Sequence, residues 1–178
     1  MYKAIKIILA LLVVVVIGIL GLALTKPDDF RVQRSTSIKA PPEKVFALIN
    51  DFHDWPQWSP WEHKDPAMKR SYSGPESGKS AAYAWEGDKN VGHGGMEIVE
   101  SSPPSKIVLK LDFLKPFEAH NMVDFSLERS GDATNVVWAM YGPSPFMAKV
   151  MTVFVSMDKM VGNDFEAGLA NLKAAAEK

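Results

Sequence analysis

The side chains best suited to acid–base or metal chemistry near neutral pH are four histidines, His53, His63, His93 and His120, and they are scattered. None falls in an H-E-x-x-H or H-x-H pattern, so no metal ligand is assigned and no cofactor is expected. The chain has no cysteine, which excludes disulfides, thiol nucleophiles and cysteine metal sites. Two acid–imidazole neighbours stand out, Glu62-His63 and His93 with Glu97. The second pair shares the strand face opposite Met96 and is expected to face solvent. Gly92-His93-Gly94-Gly95 follows a turn without opening a helix, so it is no phosphate loop, and there is no G-x-S-x-G elbow. No catalytic residue is therefore named. A general acid or base would have to sit in a buried cavity, where Tyr83 and Asn121 are the nearest candidates.

The positions of those two residues depend on strand phase. Phe30 to Lys39 alternates, with Val32, Thr36 and Ile38 on one side and Arg34 interrupting it. Ala40-Pro41-Pro42-Glu43 then opens a short helix with Val45, Phe46 and Ile49 on its apolar face. Further strands are expected over 69–73, 80–86, 91–100, 106–113, 118–128 and 133–141, separated by tight polar turns that make them antiparallel. Tyr83 with Trp85, Met96 with Ile98, and Val136 with Trp138 and Met140 each share a face, and Asn121 points the same way. Gly92 and Gly94 fall in phase with Met96. Glycine there either leaves room for a ligand or marks a bulge.

Two segments would close the space above that face. Trp55, Trp58 and Trp61 recur every three residues with Pro56 and Pro60 between them, which is incompatible with one regular helix. Trp58 and Trp61 are expected to cap one end of a cavity; the alternative seat for these tryptophans is a lipid interface. From Pro145 to Lys178, Val150, Phe154, Met157, Val161, Phe165, Leu169 and Leu172 recur at three- and four-residue steps, the stripe of one long helix. Phe154 and Met157 would wall the cavity, while Val161 to Leu172 would pin the helix to the sheet. Tyr83, Trp85, Met96, Trp138, Met140 and Met157 are adaptable enough to line an apolar pocket, or else form an ordinary core. The expected class is α+β, a curved antiparallel sheet around a long C-terminal helix.

Ahead of this domain, Ile7 to Leu24 holds roughly 18 uncharged residues, near the length that crosses a bilayer. Residues 1–26 read as a membrane anchor or signal segment and 27–178 as the folded domain. Lys3 and Lys6 precede the apolar run, which places the N-terminus in the cytoplasm and the domain in the periplasm or another extracytoplasmic space. Pro27-Asp28-Asp29 is too short for a tether, so the domain sits close to lipid. A net charge of −1 gives no reason to seek nucleic acid. A protein partner is not identified.

Ile38-Lys39-Ala40-Pro41-Pro42-Glu43-Lys44-Val45-Phe46 resembles the I-x-A-P-x-x-x-V-F opening of the SRPBCC superfamily, which includes START lipid-transfer domains and polyketide cyclase/dehydrase-like proteins. Tyr83-x-Trp85-x-Gly87, Val91-Gly92-x-Gly94, Thr134-x-Val136-x-Trp138 and Asp164-Phe165-x-x-Gly168-Leu169 are similar to the bacterial polyketide-cyclase-like branch. The resemblance runs from Phe30 to Lys178 and implies a helix-grip fold whose cavity holds a hydrophobic ligand. It does not imply cyclase activity. The expected function is a membrane-anchored module binding a small hydrophobic or lipid-like molecule. The alternatives are a cyclase, dehydratase or hydrolase using the same cavity, and an interaction protein whose cavity has collapsed.

Overall fold

The structure, a computed structural model, describes residues 2–178. Its N-terminal helix α1 (Tyr2–Leu24) has 23 residues, a length of roughly 34 Å at about 1.5 Å per residue, enough to span a hydrocarbon core of about 30 Å. Nearly all its side chains are exposed, and only Ala23, at its foot, is buried.

Alternation of apolar and polar residues gives seven strands in one antiparallel sheet. They are β1 (Asp29–Ile38), β2 (Lys69–Ser73), β3 (Ala82–Glu86), β4 (His93–Ser102), β5 (Lys106–Lys115), β6 (Ala119–Ser130) and β7 (Ala133–Pro143). Six form a meander, and β1 adds beside β7 to give the order β1-β7-β6-β5-β4-β3-β2. Between β1 and β2 lie helix α2 (Pro42–Asn50) and two 3₁₀ turns, Phe52–Gln57 and Pro60–His63. Pro56 and Pro60 prevent these turns from merging into one α-helix.

The C-terminal stripe is not one helix. It divides into α3 (Phe146–Thr152) and α4 (Met157–Ala176). Ser156 caps α4 by accepting the Lys159 N–H at 3.3 Å, so a new helix starts where continuation was expected. α4 buries Gly162, Phe165, Gly168, Leu169, Leu172 and Ala176 and packs on β1 and the second 3₁₀ turn. α3 packs instead against α1. Phe154 falls in the break and is 68 % exposed, so its expected place in an interior wall is corrected.

Arg34, the interruption on the apolar side of β1, ties sheet to helix. Its guanidinium reaches Asp158 at 2.7 Å and Glu166 at 2.7 Å, both on α4. A Cβ at position 162 would lie 2.3 Å from the guanidinium, so glycine is what lets it pass. The hydrogen bond from Arg34 holds the Asp158 carboxyl below the ordinary carboxylate range. With the folded pKa depressed, ionised Asp158 contributes stability above its unfolded pKa, and that contribution is lost as pH falls through the folded value.

Two outcomes are expected in urea unfolding of the detergent-solubilised chain. The stability gap between wild type and Arg34→Met should stay constant from about pH 5 to 8 and shrink below about pH 4. Phe165→Ala, emptying a buried ring position on α4, should cost about 3 to 5 kcal/mol.

Candidate functional site

The face of the sheet beneath α2, α4 and the 3₁₀ turns is lined by aromatic rings. Trp138 on β7 is its centre, stacked on Phe165 of α4 at 4.2 Å between centroids and on Phe125 of β6 at 5.0 Å. Trp58 and Trp61 meet it edge-on at 5.5 and 5.8 Å. Offset stacks and edge contacts suit the ring quadrupoles and hold the cluster in one arrangement. Trp55 and Trp58 also serve α2. Their indole N–H groups donate to the Ile49 and Leu48 carbonyls at 3.0 and 2.9 Å, satisfying acceptors that the last turn of a helix leaves free. Trp85 donates to the Val91 carbonyl at 3.0 Å.

Trp138 differs from these. It is 3 % exposed, and its Nε1–H is the one buried side-chain donor or acceptor without a partner among the described residues. An unpaired buried donor costs roughly 1–3 kcal/mol. Four aromatic rings pack on it, those of Phe125, Phe165, Trp58 and Trp61, and Arg34 is its cross-strand neighbour on β1.

A polar clasp joins the 3₁₀ turns to the edge of the sheet. Glu62, buried, accepts from Tyr83 Oη–H at 2.7 Å through one carboxylate oxygen and from Arg70 Nε–H at 2.6 Å through the other. Arg70 also donates to the Glu62 carbonyl at 2.7 Å. Burial first, then the bond to Glu62, pushes the Tyr83 phenol well above its ordinary pKa. Held in this way, Tyr83 is a proton donor to Glu62 and not a base. Tyr83 also stacks on Phe52 and Trp85.

The ten positions singled out from the sequence do not converge on one pocket. Trp58, Trp61 and Trp138 meet in the aromatic cluster, and Met157 is partly buried against the wider core. Tyr83, Trp85 and Met96 group at the β3–β4 end. Asn121 and Met140 lie on β6 and β7, where Asn121 Oδ1 occupies the space a Cβ at Gly142 would need. Phe154 is outside. Arg70 was not singled out, and Glu62 was named only beside His63, not as the partner of Tyr83. Arg70 lies in the inward phase of β2, as Arg34 does in β1, and a lone charge in an apolar phase is the signal that points to an acidic partner from another element.

Of the two readings of Gly92 and Gly94, the bulge holds and the room for a ligand is occupied. The register slips between His93 and Gly94, a bulge, and Gly92 has φ +65°, a conformation that favours glycine. A Cβ at Gly94 would lie 2.5 Å from the Trp85 ring and 2.4 Å from the Asp112 carbonyl. At Gly168 it would lie 2.7 Å from Trp138. Two concavities, about 240 and 360 Å³, are open to solvent, one on the polar face around Ser71, Gly95 and Lys110, the other at Asp65, Lys69 and His93. Neither includes a residue of the Trp138 cluster. Among the described residues no three His, Asp or Glu side chains are placed to hold a metal ion.

A seven-stranded antiparallel sheet gripping a C-terminal helix defines the helix-grip class of α+β protein. The sequence matches, over residues 29–177, the family described as polyketide cyclase / dehydrase and lipid transport, and the chain belongs to that family within the SRPBCC superfamily. Comparison with curated protein sequences gives no match. Among solved structures, a Chromobacterium violaceum protein superposes with TM-score 0.58 at 14 % identity, covering 86 % of this chain and 99 % of its own. A Nitrosospira multiformis protein gives 0.58 at 19 %, covering 83 % and 96 %. The di-domain ARO/CYC BexL from the BE-7585A biosynthetic pathway gives 0.60 at 15 %, over 89 % of this chain and 53 % of BexL. At these identities the likeness is one of fold.

Because Trp85 and the Asp112 carbonyl fill the space beside Gly94, Gly94→Ala should destabilise the protein by about 1–3 kcal/mol, read from its urea midpoint.

Proposed function

We propose that the chain is a membrane-anchored binding module in which α1 spans a bilayer and the aromatic interior of residues 27–178 admits a small apolar or lipid-like molecule. The observation that carries the reading is the Trp138 indole N–H, buried among aromatic rings with no hydrogen-bond partner among the described residues. A ligand whose hydrocarbon body packs among the rings and whose carbonyl or hydroxyl oxygen meets Nε1 would supply the missing bond. The family description, which includes lipid transport, agrees with such a ligand. Entry requires ring displacement. Trp61, only partly buried on the second 3₁₀ turn, is the ring able to swing out. On this reading Lys3 and Lys6 keep the N-terminus cytoplasmic and the domain lies on the other side.

The test compares a long-chain methyl ketone with the alkane of equal length, binding to wild type and to Trp138→Phe. Phenylalanine keeps the stack and removes the N–H. Wild type should prefer the ketone by about five- to tenfold, one hydrogen bond's worth, and Trp138→Phe should lose that preference. Absence of binding, or equal affinity for both ligands in wild type, would sink the reading.

A cyclase or dehydratase reading rests on a different observation, the buried Tyr83–Glu62 pair. It requires turnover that disappears in Tyr83→Phe while the fold is kept. Against it, Tyr83 and both Glu62 oxygens are already engaged with each other and with Arg70, the arrangement of a structural clasp.

A further inference from the structure

The segment from Phe146 to Val155 turns its polarity the wrong way round for a surface in water. Phe146, Met147, Met151, Phe154 and Val155 are exposed, Met147 to 70 %. Its one charged residue, Lys149, pairs with the exposed Asp28 just past α1, and the Lys149 side chain is only 12 % exposed. A helix against water does the opposite, keeping its ammonium solvated and its apolar side chains covered.

The location of this segment identifies the apolar medium it meets. α3 packs against α1, and the Ser144 N–H donates to the Asp28 carbonyl at 2.7 Å, so the segment lies at the foot of the apolar helix. Strand register then brings a second apolar element to the same end. Asp29 pairs with Pro143, Tyr141 with Met122, and Ala119 with Phe113, so the β5–β6 turn leaves the sheet at the end where α1 enters it. That turn presents Leu114 and Phe117, 60 % and 69 % exposed. It is three strands from β1, roughly 14 Å away at about 4.8 Å per strand. Exposed large apolar side chains on two separate elements at one end of a domain mark an interaction surface.

We infer that this end of the domain is a lipid-contacting surface, with Phe146 to Val155 lying in the bilayer interface beside α1 and the Leu114–Phe117 turn dipping into it as a second foot. The inference rests on α1 spanning the membrane, as proposed above. The occupant is the boundary between headgroups and acyl chains, continuous with the lipid around α1, where an amphipathic segment gains by burying its apolar side. The arrangement fixes the sheet's anchor end against the bilayer and points the β6–β7 turn away from it. With no native cysteine, single positions can be labelled cleanly.

The experiment places one cysteine at a time in the full chain, as Phe154→Cys, Phe117→Cys, Val14→Cys and Asp132→Cys. Each is labelled with an environment-sensitive fluorophore and reconstituted into phosphatidylcholine/phosphatidylglycerol vesicles with or without acyl-brominated lipid. Blue-shifted emission and loss of intensity to brominated lipid are expected at positions 154, 117 and 14, with neither at 132. Quenching at 14 without quenching at 154 and 117 would overturn the inference and leave the anchor standing. Lack of quenching at 14 would remove the anchor and the inference together. Blue-shifted emission at 154 that brominated lipid does not quench, and that fades as protein is diluted in lipid, would assign the surface to a second copy and overturn it as well.

Discussion

The Trp138 ring, held between Phe125 of β6 and Phe165 of α4, is where the two halves of the domain meet. Dispersion between parallel faces a little over 4 Å apart requires α4 to lie close on the sheet, and Gly168 is the residue that permits the approach. From that contact the neighbouring placements follow. Trp58 and Trp61 fill the flanks of the stack, the 3₁₀ turns carry them there, and the proline spacing gives the turns their shape. The stack excludes water and leaves the Trp138 N–H without an acceptor. Packing and polar satisfaction therefore pull against each other at one atom.

Elsewhere polar groups are closed off in clasps at the edges. Glu62 with Tyr83 and Arg70 fastens the 3₁₀ turns to β2 and β3, and Arg34 with Asp158 and Glu166 fastens β1 to α4. Thr134 fastens the start of β7 to the Ala40 carbonyl at 2.7 Å. A buried acid whose oxygens are both engaged gains orientation and gives up reactivity. This is the physical reason for preferring binding over catalysis in a family whose description spans both.

Strands and faces were legible because period-two alternation survives wherever one side of a sheet is buried. The inward phase of Tyr83, Trp85, Trp138 and Met140 follows from it directly, while the N-terminal helix was legible from its unbroken apolar run. The helix break at Ser156 was not legible. Val150 and Phe154 keep the three-to-four spacing, but Phe154 lies exposed in the break, and spacing alone does not distinguish an exposed apolar stripe from a core-facing one. The space beside Gly94 and Gly168 was hidden for a related reason. Missing side chains register in the sequence, whereas the tryptophans that enter the gap come from positions one strand or more away. The burial of Glu62 was not legible because a 3₁₀ turn broken by prolines has no period from which to read its inward side.

On the proposed reading, a domain held close to a membrane anchor, with an aromatic interior and one unsatisfied donor, is suited to receiving an apolar molecule that already resides in the membrane. The claim depends on the Trp138 N–H more than on any other atom. Its indole resonance is one of five in a nitrogen–proton correlation spectrum, assignable by the loss of a peak in Trp138→Phe. Titration with a long-chain ketone should move that resonance downfield as Nε1–H gains an acceptor, with the N–H groups of Trp55 and Trp58 shifting far less because they keep their α2 carbonyls. Saturation of the protein by the ketone with the Trp138 resonance unmoved would contradict it.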